Sequence, residues 1–193
     1  MVAAGRGAGD LATAAGPHAL VAHAVAELGG LDLVVHAAGE GFVPHAVEET
    51  TEDDWDTALG ATAKGTFFLA QASAPHLRES RGLLVILEDV AAYQAWPSFA
   101  AHCAAKAAQA MLTRVLAKAL APEVRVCGVA PGPVAVEDGQ EERRAAETLL
   151  GRIGSPADVA DAVVYLAGAG YVTGTTLVVD GGRLLKTGGR RAP

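Results

Sequence analysis

Leu83-Leu84-Val85-Ile86-Leu87, leading into Glu88-Asp89, is apolar at five successive positions. A strand with one wet face alternates polar and apolar residues, whereas a strand in a helix-covered parallel sheet is buried on both faces and does not. The run therefore predicts an inner strand of a parallel sheet, and the alanine-rich stretch from about Phe99 to Leu120 predicts the helix that follows it. Upstream, Pro17 opens a helix with Val21, Ala24, Val25 and Leu28 on one stripe, and Gly29-Gly30 ends it before a strand from Leu31 to His36. A second helix starts at Thr51, where Asp54 can answer the capping hydroxyl; it carries Trp55, Leu59, Thr66, Leu69, Ala70 and Ser73 and stops near Leu77. Downstream come a strand over Val124 to Val129, a helix capped by Ser155-Pro156-Ala157-Asp158 that runs to about Leu166, a strand over Thr175 to Val179, and a short C-terminal helix. Strands alternating with helices specify an α/β fold.

The chain has 193 residues, 51% hydrophobic and 19% charged, which is one domain's worth of core. We read residues 1–193 as a single domain, with 1–16 an irregular N-terminal remnant and 186–193 a flexible tail. A net charge of -7 argues against nucleic acid and anionic lipid as partners. No apolar run reaches the roughly 20 residues of a membrane span, and the N-terminus lacks a signal-peptide pattern, so the expected location is the cytoplasm. Cys103 and Cys127 have no metal-type spacing, the six histidines have no ligand spacing, and no Ser-His-Asp set falls on suitable elements. No metal site or hydrolase site is expected.

Three segments carry a resemblance. They are Leu31-Asp32-Leu33-Val34-Val35-His36-Ala37-Ala38-Gly39, the stretch from Ser98 to Ala108 with His102 thirteen residues after Asp89, and Val124-Arg125-Val126-Cys127-Gly128-Val129-Ala130-Pro131-Gly132-Pro133. In this order the chain resembles the short-chain dehydrogenase/reductase family from about Gly9 to Leu185. That resemblance implies a three-layer, doubly wound, Rossmann-like parallel sheet with an NADP or NAD cofactor. It also implies that the first β-α-β unit is lacking. The family's glycine-rich phosphate turn has no counterpart except Gly5-Arg6-Gly7-Ala8-Gly9, which only Met1 to Ala4 precede. Asp10 then reads either as an adenine neighbour or as an ordinary turn acid. In the family's sheet order the first strand pairs with the strand matched by Leu31 to Val35, so its loss would expose an apolar edge that recruits another chain or aggregates.

The resemblance also assigns site residues. Lys106 matches the lysine that lowers a catalytic phenol's pKa and holds the nicotinamide ribose, but His102 stands where the family has that Tyr. His102 reads either as a general acid or as a helix residue in a half-open pocket. Asp89 replaces the usual Ser, as in the pteridine reductases, and is followed by Val90-Ala91-Ala92 and Trp96-Pro97. It would orient a pterin ring or relay a proton, or simply be a solvated acid ending a strand like its neighbour Glu88. Thr62 replaces the Asn that anchors a water leading to the lysine. Ala38 and Gly39 match the turn that closes over the cofactor, and Pro131-Gly132 matches the turn that meets the nicotinamide carboxamide.

The functional expectation is an NAD(P)H-dependent, pteridine reductase-like protein whose own activity is weak or lost. Helices 51–77 and 99–120 would then join it to a second copy or to a full-length paralogue. The alternative is an active oxidoreductase whose cofactor-binding part is encoded upstream of Met1.

Overall fold

The structure is a computed structural model and describes residues 9–40, 42–134, 136 and 139–186. The glycine cluster before Gly9 and the tail beyond Lys186 lie outside the described residues. Four parallel strands, β1 (Leu33–His36), β2 (Leu83–Leu87), β3 (Arg125–Pro131) and β4 (Thr176–Val179), form one sheet in the order β1-β2-β3-β4. Val35 pairs with Val85 and Val85 with Cys127, so the inner strands are in register and apolar on both faces. The α/β fold and the fully buried β2 follow the expectation.

The helices are α1 (Ala15–Leu28), α2 (Glu52–Leu59), α3 (Gly65–Ser80), α4 (Ala100–Leu120), α5 (Glu141–Ala146) and α6 (Pro156–Gly168). On one face, Leu84, Ile86 and Val126 meet Leu69, Leu77, Leu116 and Leu120 of α3 and α4. On the other, Leu83, Val85, Cys127 and Val129 meet Val159, Ala162 and Leu166 of α6. These layers are what burying both sides of a parallel sheet requires. The caps at Thr51 and Ser155 form as expected. Asp54 N–H donates to Thr51 Oγ1 at 3.2 Å and Thr51 N–H to Asp54 Oδ2 at 2.9 Å, with the same reciprocal pair between Ser155 and Asp158.

Several expectations need correction. Residues 51–77 are not one helix, because a five-residue π turn, Gly60–Lys64, separates α2 from α3. The glycines at its ends let the 9–16 turn approach: a Cβ on Gly65 would lie 3.0 Å from the Leu11 carbonyl oxygen, and one on Gly60 3.2 Å from Ala12 Cβ. The helix also runs past Leu77 to Ser80, whose Oγ donates to the Leu31 carbonyl at 2.7 Å; Arg81, in the left-handed region at φ 54°, stops it. Trp55 is exposed, because α2 meets α4 through Ala58 against Ala101 and Ala105. Leu28 is exposed too, because α1 rests on α3 and buries Pro17, Leu20 and Val21. Helix α5 was not expected.

Among the described residues β1 is an edge strand that pairs with β2 alone. Leu33 and Val35, on the same sheet face as Leu83 and Val85, are 38% and 40% exposed. No helix among the described residues is long and apolar enough to cross a membrane.

Candidate active site

The C-terminal ends of β1, β2 and β3 open into a cavity of about 980 Å³. Ala38, Gly39, Asp89, His102, Lys106 and Pro131-Gly132 all line it, so the structure brings together the residues predicted from each strand end. This is where open α/β sheets bind ligands. Thr62 is buried behind it, and Asp10 is not among the lining residues. The Asp10 carboxylate accepts the Ala12 N–H at 2.9 Å, which makes it a turn acid. A smaller cavity of about 450 Å³ between Pro133, Arg152 and the Asp180 turn shares none of the predicted residues.

Helix α4 carries a polar stripe, His102, Lys106, Gln109 and Thr113, at three- and four-residue spacing, and all four side chains are buried. Lys106 Nζ donates to the Leu87 carbonyl at 3.1 Å, the Glu88 carbonyl at 3.4 Å and Gln109 Oε1 at 3.0 Å. Burial pushes the ammonium's pKa below its ordinary value, while Asp89 and Glu88 pull it back up. Gln109 is fully buried, and its Nε2 donates to Thr66 Oγ1 at 2.9 Å and reaches His36 Nδ1 at 3.3 Å and the Thr62 carbonyl at 3.4 Å. What Thr62 contributes to this network is its carbonyl oxygen, which also accepts from Thr66 Oγ1 at 2.7 Å. The carboxamide beside Lys106 therefore comes from α4. Gln109 was missed from the sequence, although the spacing of its polar stripe on an otherwise alanine-rich helix was legible.

His36, the last residue of β1, is 1% exposed. Burial first and Lys106 second push its pKa down to about 4, with the Ala61 backbone working the other way. Its Nε2 has no hydrogen-bond partner among the described residues.

His102 is buried rather than half-open. Its Nε2 lies 3.5 Å from Asp89 Oδ2 without making a hydrogen bond, and the Phe42 ring stands edge-on 4.9 Å from the imidazole. Asp89 caps the short turn Val90–Ala92 by accepting the Ala91 N–H at 2.8 Å, so one carboxylate oxygen is committed to structure and the other faces His102. Glu88 is no solvated acid. It is 3% exposed and accepts from Thr113 Oγ1 at 2.6 Å, Tyr93 Oη at 2.9 Å and Thr176 Oγ1 at 3.0 Å. Gly128 exists to admit it, since a Cβ there would lie 2.0 Å from Glu88 Oε1.

The nicotinamide end of a dinucleotide fits. A Cβ on Gly39 would meet only Thr62 Oγ1 at 3.7 Å and Lys106 Nζ at 3.8 Å, which leaves that turn open to the cavity. Gly132 is different, because a Cβ there would lie 2.7 Å from Asp180 Cα, so the turn's own packing demands glycine. Among the described residues no glycine-rich turn faces the cavity to hold phosphates.

Residues 4–183 match the family model described as Enoyl-(Acyl carrier protein) reductase. The chain is 33% identical to 2-dehydro-3-deoxy-D-gluconate 5-dehydrogenase of Escherichia coli, over 92% of this chain and 75% of that protein. It is 37% identical to the Inactive 2-(S)-hydroxypropyl-CoM dehydrogenase 2 of Xanthobacter autotrophicus, over 90% and 82%. The crystal structure of a short-chain glucose/ribitol dehydrogenase from Brucella melitensis superposes with a TM-score of 0.83 at 32% identity, over 91% and 73%. The chain belongs to the short-chain dehydrogenase/reductase family. Its four-stranded parallel sheet and helical layers match the fold of that structure.

Two outcomes are expected of this reductase-family site. Folded His36 stays neutral down to about pH 4 while the unfolded residue protonates near 6.5, so stability is lost as pH falls through that window. Urea unfolding should show a loss of about 3 kcal/mol across it, and His36→Asn should flatten the profile. Gln109→Leu should cost about 1–3 kcal/mol by stripping Lys106 of an acceptor. An NMR titration of the Lys106 side chain should then move its midpoint further down, with Gln109→Glu moving it up.

Proposed function

We propose that this chain is an NAD(P)H-dependent oxidoreductase by descent, with a pocket like that of the pteridine reductases, whose own turnover is weak. The reading of the pocket rests on Asp89 and that of the turnover on His102. The observation that carries the proposal is the imidazole where the family places a phenol, with its Nε2 buried 3.5 Å from Asp89 Oδ2 and without a hydrogen-bond partner among the described residues. A relative of 37% identity bears the name of an inactive dehydrogenase, which is in keeping with this reading.

The reaction is addition of a hydride to a carbonyl or imine carbon and a proton to its oxygen or nitrogen. When bound, NADPH or NADH supplies the hydride; Ala38, Gly39, Lys106 and Pro131-Gly132 would hold its nicotinamide end. The chain must supply the proton. His102 Nε2 is the group at hand, and Asp89 Oδ2, 3.5 Å away, sits where it would steady the resulting charge balance. Lys106 Nζ also donates to three protein oxygens, which fix its ammonium at the cavity wall.

Helices α3 and α4 present Phe67, Met111 and Val115 to solvent, each more than two-fifths exposed. That face supports a role as a subunit, joined to a second copy or to a full-length paralogue. A second reading, an active enzyme completed by residues encoded upstream, draws on β1, which among the described residues pairs with β2 alone. An in-frame Thr-Gly-x-x-x-Gly-x-Gly before Met1 would support it, and a stop codon immediately upstream would sink it.

The purified 193-residue chain should bind NADPH no tighter than about 100 μM by fluorescence titration, roughly 5 kcal/mol of binding. Low-micromolar binding would remove the weak-turnover reading. At saturating NADPH, His102→Tyr should raise dihydropterin or ketone reduction about 100-fold, since a positioned proton donor is worth that much; an unchanged rate would mean that the phenol's absence is not the limit. In sedimentation velocity, Met111→Glu combined with Val115→Arg should convert the assembled protein to monomer. Unchanged assembly would place the contact elsewhere.

A further inference from the structure

Lys106 is a cation taken out of water at the wall of an open cavity: it is 8% exposed and lines the space of about 980 Å³. The three oxygens that meet its Nζ are all uncharged, the Gln109 carboxamide at 3.0 Å and the Leu87 and Glu88 carbonyls at 3.1 and 3.4 Å. Asp89 and Glu88 favour the charged form, but burial outweighs them and holds the pKa below its ordinary value. His36, which is coupled to Lys106, adds no charge above about pH 4. An amine that has lost its proton keeps two N–H donors and gains a lone pair. The Gln109 and Leu87 oxygens hold the two donors at the shorter distances, so the Glu88 carbonyl is the contact given up. Gln109 does not turn over to cover the lone pair, because its Nε2 donates to Thr66 Oγ1 at 2.9 Å. Space lies beside Gly39, where a Cβ would stand 3.8 Å from Nζ and, among the described residues, would otherwise meet only Thr62 Oγ1.

From this arrangement we propose that Lys106 is a nucleophile, whose neutral amine condenses with a small uncharged aldehyde or ketone in the cavity to form a Schiff base. A lysine deprived of water and of a charged partner in contact is the kind that does this chemistry. The nitrogen lone pair adds to the carbonyl carbon as the C=O π pair moves onto oxygen, and one nitrogen proton passes to that oxygen, giving a carbinolamine. The hydroxyl then leaves as water with the second nitrogen proton, and the C=N bond closes. His102 lines the same cavity one helical turn before Lys106, where it ferries these protons. The activity goes beyond the reductase reading and needs no dinucleotide.

The test is reductive trapping. The purified 193-residue chain is incubated with benzaldehyde and sodium cyanoborohydride at mildly alkaline pH; the borohydride adds hydride to the C=N carbon, and peptide mass spectrometry locates the benzylated lysines. Lys64 and Lys118 are exposed and serve as internal references. Lys106 should be labelled about 10-fold faster than either, although it is far less accessible. Gln109→Glu sets a carboxylate against Nζ, which keeps the proton on and should bring Lys106 down to the reference rate or below. Gln109→Leu removes an oxygen that favours the ammonium and should raise the Lys106 rate further. Opposite signs at one position separate amine chemistry from loosened packing. Labelling of Lys106 no faster than Lys64 and Lys118, or a rate indifferent to both substitutions, would overturn the proposal. No dinucleotide enters the measurement, so failure of NADPH binding or turnover would count against the reductase reading alone.

Discussion

The buried ammonium of Lys106 is the constraint around which the site is arranged. A lysine taken out of water is tolerated only where oxygens replace its hydration, and here the end of β2 provides two of them, the carbonyls of Leu87 and Glu88. Those carbonyls turn toward the helix, so α4 is locked in rotation and height against the strand end. Once that rotation is set, the rest of the polar stripe has no freedom: His102 falls beside Asp89, Gln109 beside His36, and Thr113 on Glu88. Glu88 then needs the space that only Gly128 leaves on β3, which ties the third strand to the same arrangement.

The π turn at Gly60–Lys64 serves that arrangement from the other side. A π turn shifts the helical hydrogen-bond ladder by one residue and leaves carbonyls free for side chains. The Thr62 carbonyl accepts from Thr66 Oγ1 and Gln109 Nε2 as well as from the Gly65 backbone N–H, which ties the turn to the α4 carboxamide. The network's open position is His36 Nε2, and a neutral imidazole is the form that a site this buried and this close to a cation favours.

Much of the fold was legible because it follows from patterns one strand or one helix long. The unbroken apolar run at Leu83–Leu87 identifies an inner strand, and the capping boxes at Thr51 and Ser155 place two helix starts to the residue. The strand-end residues gathered where expected because each sits at a strand's C-terminal end. Three features escaped, each decided by tertiary contact. The helix break at Gly60 depends on the 9–16 turn pressing on it, and helical periodicity carries no record of a turn 45 residues away. Glu88 reads as a surface acid because nothing nearby in sequence shows the hydroxyls of Thr113 and Thr176 converging on it. Gln109 was visible as a polar residue in register with Lys106, but alanine on every side made the helix look like a packing surface before it looked like a site.

The cavity and the sheet edge differ in how the described residues tie them down. The cavity-lining residues predicted from the sequence hang from the ends of β1, β2 and β3 and from α4, which pair and pack against one another. Among the described residues β1 is an edge strand paired with β2 alone, and its Leu33 and Val35 are partly exposed on the sheet face they share with Leu83 and Val85. Backbone groups left at a sheet edge and apolar side chains left in water both favour capture of another strand. Whatever covers that edge would follow β1 toward Ala38 and Gly39, which line the cavity. A partner on the α3 and α4 face could not do this, because that face is separated from β1's edge by the helical layer itself. A contact on the α3 and α4 face and a cover on the β1 edge are therefore physically separable properties of this fold.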